Sequence, residues 1–123
     1  MDSVIGFEYI DAAEDSARGR FEVTDNVRQP YGIVHGGAYA TAAESLASAA
    51  TYEAVKGDGM VAMGQSNHTS FLRPVSEGTV HASGTARHRG RSSWVWEVEF
   101  TDDQGRLCAL TRVTMAVRSA ESS

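Results

Sequence analysis

The chain has a single cysteine, Cys108, among 123 residues. An intramolecular disulfide is therefore excluded, as are cysteine-rich zinc sites. A lone thiol suits a reducing compartment, so the cytoplasm is the expected location. Lysine is as scarce: Lys56 stands alone beside ten arginines, against sixteen acids, for a net charge of −5. That sign opposes the basic stripe that nucleic acid requires, so no nucleic-acid partner is expected. No stretch approaches the ~20 consecutive apolar residues of a membrane span, so no membrane partner is expected either. The first residues, Met1 to Gly6, are neither basic nor followed by a long apolar run, which argues against a secretory signal. His35, His68, His81 and His88 lack metal-ligand spacing, and no metal is expected.

What is present suits one ordinary core. The chain is 41% hydrophobic and 22% charged, without a repeat or low-complexity run, and residues 1–123 read as a single domain. Charge is uneven. Residues 1–72 hold four basic groups against ten acids, whereas 73–118 hold seven arginines against five. The second half therefore has room for a small anionic ligand.

Alternation predicts two opening strands, through Ile5, Phe7 and Tyr9 and through Gly19, Phe21 and Val23, with a turn at 11–16. A loop follows over 24–35, where Pro30 keeps Gln29 extended. Eight alanines between Ala38 and Ala54 predict a helix from Gly37 to Lys56, ended by Gly57 and Gly59. Its small side chains let other backbone approach closely. Four more strands are predicted: 60–72, 80–87, 94–101 and 106–118. The turns between the last three are Arg89-Gly90-Arg91 and Asp102-Asp103-Gln104-Gly105. The order ββαββββ gives an α+β domain, with one long helix wrapped by a six-stranded, mainly antiparallel sheet.

Two features carry chemistry. Gly36-Gly37 opens the helix, where amide N–H groups lack intrahelical acceptors and the helix dipole is positive, which makes an oxyanion site. The same glycines also permit a tight turn. Glu44 is flanked at helical spacing by Ala40, Thr41, Ala47 and Ser48, with no lysine or arginine from Gly36 to Val55. An acid on so smooth a face suits a ligand or an interface, although an exposed helical glutamate is the plainer reading. Gly36 and Glu44 lie about 12 Å apart along one axis, at ~1.5 Å per residue, so one carbonyl cannot touch both. If they cooperate, they come from different chains, and a twofold pair of antiparallel helices yields two equivalent sites.

The run Gln29…Val34-His35-Gly36-Gly37 through Glu44-Ser45 and Ser48 resembles hotdog-fold acyl-CoA thioesterases. The branch it is most similar to holds phenylacetate-pathway, 4-hydroxybenzoyl-CoA and 1,4-dihydroxy-2-naphthoyl-CoA thioesterases. Asn67-His68, Leu72-Arg73-Pro74-Val75, His88 to Ser93 and Asp103 to Leu107 extend the resemblance over about residues 20–118. His-Gly-Gly carries little alone; with Glu44 and the strands behind it, it is more specific. The resemblance implies that the Gly36 N–H polarises the thioester carbonyl, with Gln29 assisting. Glu44 of the partner subunit would act as nucleophile or general base, and Ser48 would position water or Glu44. His35 would shape the loop, and His68 and Asn67 would line the acyl pocket. Arg89, Arg91, Ser92 and Ser93 form a turn suited to the phosphates of coenzyme A. Coenzyme A enters as part of the substrate, no separate cofactor is implied, and a dimer of dimers is expected. Two other readings stand beside this one: an acyl-CoA dehydratase, which His-Gly-Gly disfavours, and a non-catalytic acyl-CoA binder. Tyr31, Tyr39, Phe71 and the Met60/Met63 region are candidates for an aromatic acyl pocket.

Overall fold

The structure is a computed structural model and describes residues 5–120. Six strands form one antiparallel sheet: β1 (Glu8–Ala12), β2 (Ser16–Glu22), β3 (Met60–Phe71), β4 (Thr79–Arg89), β5 (Ser93–Thr101) and β6 (Leu107–Ser119). The single long helix among the described residues, α1 (Gly36–Val55), lies between β2 and β3 in sequence. Across the sheet the order is β1-β2-β4-β5-β6-β3. The order of elements along the chain agrees with the expectation, but β3 leaves its sequence neighbours and pairs with β6 at the far edge.

The helix forms where alanine is dense and ends in a 3-10 turn at Lys56–Asp58. Gly59 then takes up φ +72°, a backbone angle that glycine adopts without a Cβ clash. Its buried face runs through Tyr39, Ala42, Ala43, Leu46, Ala47, Ala50 and Thr51. Those residues meet Phe21, Val80, Trp96, Val98, Phe100, Val113 and Met115 from alternate positions of β2, β4, β5 and β6. Gly84 is what lets the helix sit so close: a Cβ there would lie 3.1 Å from Leu46 Cδ2 and 3.3 Å from the Trp96 ring. Leu46 is completely buried, so Leu46→Ala should cost about 2–5 kcal/mol. One polar pair crosses this core, with Trp96 Nε1 donating to Thr51 Oγ1 at 2.9 Å. It satisfies an indole N–H that would otherwise be stranded.

The first strand needs correction. The predicted alternation began at Ile5, but β1 begins at Glu8 and is exposed throughout. Ile5 is buried outside the strand and Phe7 packs against the core, its ring lying over Gly19. An edge strand with a single neighbour has no buried face to impose the period. The predicted turn at 11–16 is also shorter, because β1 runs on to Ala12 and Ala13 N–H closes onto the Ser16 carbonyl at 2.8 Å.

Candidate active site

The loop before α1 is shaped by its own polar groups. Gln29 accepts from Gly32 through its backbone carbonyl and from Tyr31 N–H through its side-chain oxygen, while its own N–H donates to Ile33. Gln29 is thus held at the mouth of the helix by a tight turn, although its side chain faces the loop. His35 is the N-cap, in extended conformation, with Nδ1 accepting from Gly37 N–H at 3.0 Å. Ala38 N–H reaches the His35 carbonyl at 3.0 Å. The Gly36 N–H is left without an acceptor among the described residues. His35 therefore shapes this end of the helix by capping it.

A cleft of about 600 Å³ opens at this helix start, lined by Gln29, His35, Gly36, Tyr39, Phe71 and Cys108 together with Ile33, Val34 and Leu72–Val75. Phe71 is 62% exposed, and its ring covers Gly36 so closely that a Cβ there would come within 2.7 Å of it. Cys108 is buried in this wall, its thiol donating to the Arg106 carbonyl at 3.2 Å. Burial pushes that thiol above its ordinary pKa of 9.0.

Glu44 lies elsewhere on the same helix. It is exposed and borders a separate depression of about 420 Å³ with Ala40, Thr41, Ser45 and Asn67. Its carboxylate leans on Gly64 of β3, where a Cβ would sit 2.9 Å from Oε1. That contact falls beside a bulge in the β3–β6 ladder between Gly64 and Ser66. No ion pair or hydrogen bond of Glu44 occurs among the described residues, so the carboxylate is uncommitted. The Gly36 amide and the Glu44 carboxylate thus belong to different depressions of one chain.

The remaining candidates divide. Asn67 borders the Glu44 depression, but both ends of its amide are engaged: Nδ2 donates to the Ala40 carbonyl at 2.9 Å and Oδ1 accepts from Thr69 at 2.9 Å. It ties β3 to the helix. Ser48 turns inward, its hydroxyl 3.9 Å from Met115 Sδ. His68 is exposed on β3, opposite Arg112. The turn holding Arg89, Arg91, Ser92 and Ser93 lies beyond the other end of the helix, where Arg89 and Arg91 share a depression with Val55, Asp58 and Trp94. Arg89 is already engaged there, 3.2 Å from Asp15, 3.6 Å from Glu14 and 4.6 Å above the Trp94 ring. The Ser92 carbonyl accepts from Val117 and Arg118, and the Ser93 carbonyl from Gly90. Arg91 is the basic side chain of this turn without an ion pair among the described residues. Of the aromatic-pocket candidates, Tyr39 and Phe71 line the helix-start cleft. Met60 borders the distant Arg89 depression instead, and Tyr31 is 90% exposed.

Cys108 and Gly64 take their places beside the two depressions only in the folded chain. The alternation of β6 shows Cys108 only as a strand residue, and Gly64 becomes informative only once Glu44 is seen against it. Among the described residues, no group of three or more His, Cys, Asp or Glu side chains could hold a metal ion. No helix among the described residues is long and apolar enough to cross a membrane.

Comparison with known proteins agrees with this architecture. The family model of the thioesterase superfamily matches residues 31–109. The chain is 37% identical over 113 residues to the proofreading thioesterase EntH of Cronobacter turicensis, covering 92% of this chain and 82% of that protein. It is 33% identical over 118 residues to a 1,4-dihydroxy-2-naphthoyl-CoA hydrolase of Listeria monocytogenes, covering 96% and 95%. The crystal structure of a mutant thioesterase from Pseudomonas aeruginosa superposes with a TM-score of 0.90 at 31% identity, over 94% of this chain and 84% of that one. With one long helix packed on a six-stranded antiparallel sheet and a family match spanning most of its length, the chain belongs to the thioesterase superfamily: it is a thioester hydrolase with the hotdog fold.

Proposed function

We propose that the protein hydrolyses an acyl-CoA thioester with an aromatic acyl group, giving the free acid and coenzyme A. The active site is shared between two subunits. The observation that carries this reading is the separation described above: an uncapped amide in an aromatic-walled cleft and an uncommitted carboxylate outside it. Packing two copies antiparallel brings each missing half to the other. The Gly36 N–H then donates to the thioester oxygen as negative charge builds there, with the positive end of the helix behind it. Glu44 of the opposite subunit acts at the carbonyl carbon in one of two ways. As general base it takes a proton from the attacking water. As nucleophile it forms an anhydride that water then opens. Either way the C–S bond breaks, the thiolate leaves and is protonated, and water supplies the new oxygen. A thioester is already an activated acyl group, so no cofactor is invoked.

The turn at Arg91 fits the same geometry. It lies near Val55, about 17 Å along the helix from Glu44 but nearly 30 Å from its own Gly36, at ~1.5 Å per residue. The nucleotide end of coenzyme A therefore falls to the subunit that supplies the acid. Arg91 is the candidate phosphate contact, because Arg89 is occupied by Asp15 and Glu14. A dimer of dimers in the cytoplasm, where acyl-CoA is made, completes the reading.

The test is a panel of acyl-CoA substrates, read by release of the coenzyme A thiol, on the wild type, Glu44→Ala and Gly36→Pro. Each variant alone should be inactive, and mixing them should restore up to one working site per heterodimer. An active Glu44→Ala enzyme would remove the acid from the mechanism. Two inactive variants that stay inactive on mixing, with heterodimers demonstrated, would remove the shared site.

A further inference from the structure

Phe71 ends β3, and its backbone is pinned. It pairs with Ala109 in the β3–β6 ladder, and the next two N–H groups, of Leu72 and Arg73, both donate to the Cys108 carbonyl, at 2.9 and 3.1 Å. Its side chain is in the opposite condition. Phenylalanine is among the residue types most often buried, yet this one is 62% exposed. On its inner side the far end of the ring stands against Gly36. A Cβ there would lie 2.7 Å from Cζ, 3.0 Å from Cε1 and 3.4 Å from Cε2, so any larger residue at 36 would push the ring aside. Tyr39 backs the ring from 6.2 Å at a tilt of 47°, neither stacked nor edge-on. Tyr39 itself is a fixed wall. It is 4% exposed, packed on Phe21 and Phe100, with its hydroxyl sealed in and without a hydrogen-bond partner among the described residues. Phe71 thus has a rigid backbone, a loosely held ring and open space outside. Turning about its side-chain bonds clears Gly36 without moving the chain, and exposed side chains make such turns quickly.

We propose that Phe71 is a gate over the Gly36 amide and, by gating, a specificity residue. In the free enzyme the ring shields that amide. A thioester oxygen reaches the N–H only by displacing the ring, which then packs on the acyl group. An acyl group with enough apolar surface offsets the loss of the ring's seat against Gly36 and Tyr39, and so shifts the gate open. Acetyl offers a single methyl group and leaves the gate closed. The smallest acyl thioesters are thereby spared. This rests on the reading of Gly36 as the amide that polarises the carbonyl and adds what controls access to it.

Two measurements test the gate, on the wild type and on Phe71→Ala. The first is amide exchange followed by NMR without substrate, which does not depend on the reaction. Gly36 N–H has no acceptor among the described residues, so cover by the ring is what slows it. Phe71→Ala should speed its exchange by about tenfold or more, whereas Gly37 N–H, held by His35 Nδ1, should change by less than about twofold. The second is kcat/KM for acetyl-CoA beside that for the best substrate of the acyl-CoA panel. Phe71→Ala should raise the acetyl value by about tenfold and leave the other equal or lower. A gain of this kind cannot come from damaged folding. The shorter side chain of Phe71→Leu should move both readouts the same way by less. Exchange at Gly36 that does not quicken overturns the gate. So does an acetyl value that does not rise, or a wild type that already cleaves acetyl-CoA best. Those failures leave hydrolysis intact. A wild type that cleaves none of the panel instead defeats the acyl-CoA reading and the specificity drawn from it, and exchange at Gly36 still decides whether the ring shields the amide.

Discussion

The two edges of the sheet are built differently. β1 is five residues long and kinked by a bulge between Tyr9 and Asp11. It is laced with charge, Arg18 lying 2.7 Å from Asp11 and Arg20 3.3 Å from Glu8. β3 has a bulge as well, so what sets β1 apart is its short length and its charge, two ways by which proteins stop a sheet edge from pairing with another chain. β3 is twelve residues long, Met60–Phe71, and contains no Asp, Glu, Lys or Arg. The uncommitted Glu44 leans against it. One edge is closed by its own side chains, and the other is left fit for a second copy beside the acid. The shared-site reading needs that asymmetry.

The largest expected effect sets the acids of the two edges against each other. Glu44→Gln should lower kcat/KM by about 10²–10⁴, the usual worth of a positioned base, whereas Asp11→Asn at the β1 edge should leave it unchanged. Steady-state assays on the best thioester decide this, and equal losses would erase the distinction. A second contrast uses Met63 on β3 and Ile10 on β1, which are 42% and 45% exposed, so neither change empties the core. Met63→Lys should weaken self-association by at least about tenfold, since one buried unpaired charge costs more than 1.4 kcal/mol. Activity should then fall on dilution. Ile10→Lys should alter neither property in sedimentation or in the assay. Smaller still is the effect of Gly64→Ala. Its methyl group would displace the Glu44 carboxylate, now 2.9 Å from where a Cβ would stand, and kcat should drop about tenfold through misplacement. The melting temperature should barely move, because a side-chain terminus can swing away.

Much of this was readable from residue order alone. Val80, Ala82 and Gly84 on β4, and Trp94, Trp96, Val98 and Phe100 on β5, alternate because the helix covers one face of those strands. The alanine run and Gly59 bracket the helix for local reasons. Gly36 and Glu44 could be separated by arithmetic, since helical rise is fixed. What stayed hidden depends on pairings distant in sequence. The placement of β3 beside β6 is set by tertiary register, not by a turn. The capture of Arg89 by Asp15 spans 74 residues, so a turn rich in arginine looked freer than it is. The inward turn of Ser48 and the orphaned Tyr39 hydroxyl follow from what surrounds them in space. Ile5 misled because alternation at an edge strand has no buried face behind it.

Acid should also tell the two edges apart, by the smallest effect. Arg18 bonds the Asp11 carboxylate and holds it below its ordinary pKa of 3.8. A carboxyl that is more acidic in the folded chain adds stability above its unfolded pKa and loses it as pH falls through the folded value. The β1–β2 pair should therefore loosen below about pH 4, as Asp11 becomes protonated. β3 has no carboxylate of its own to protonate, so the β3–β6 ladder should keep its protection over the same range. Amide-exchange protection factors at pH 5, 4 and 3 would show the divergence. In Asp11→Asn the β1–β2 amides should start from lower protection and change less with pH. If both ladders lost protection together and Asp11→Asn left the β1–β2 profile unaltered, the charges on β1 would not be what closes that edge.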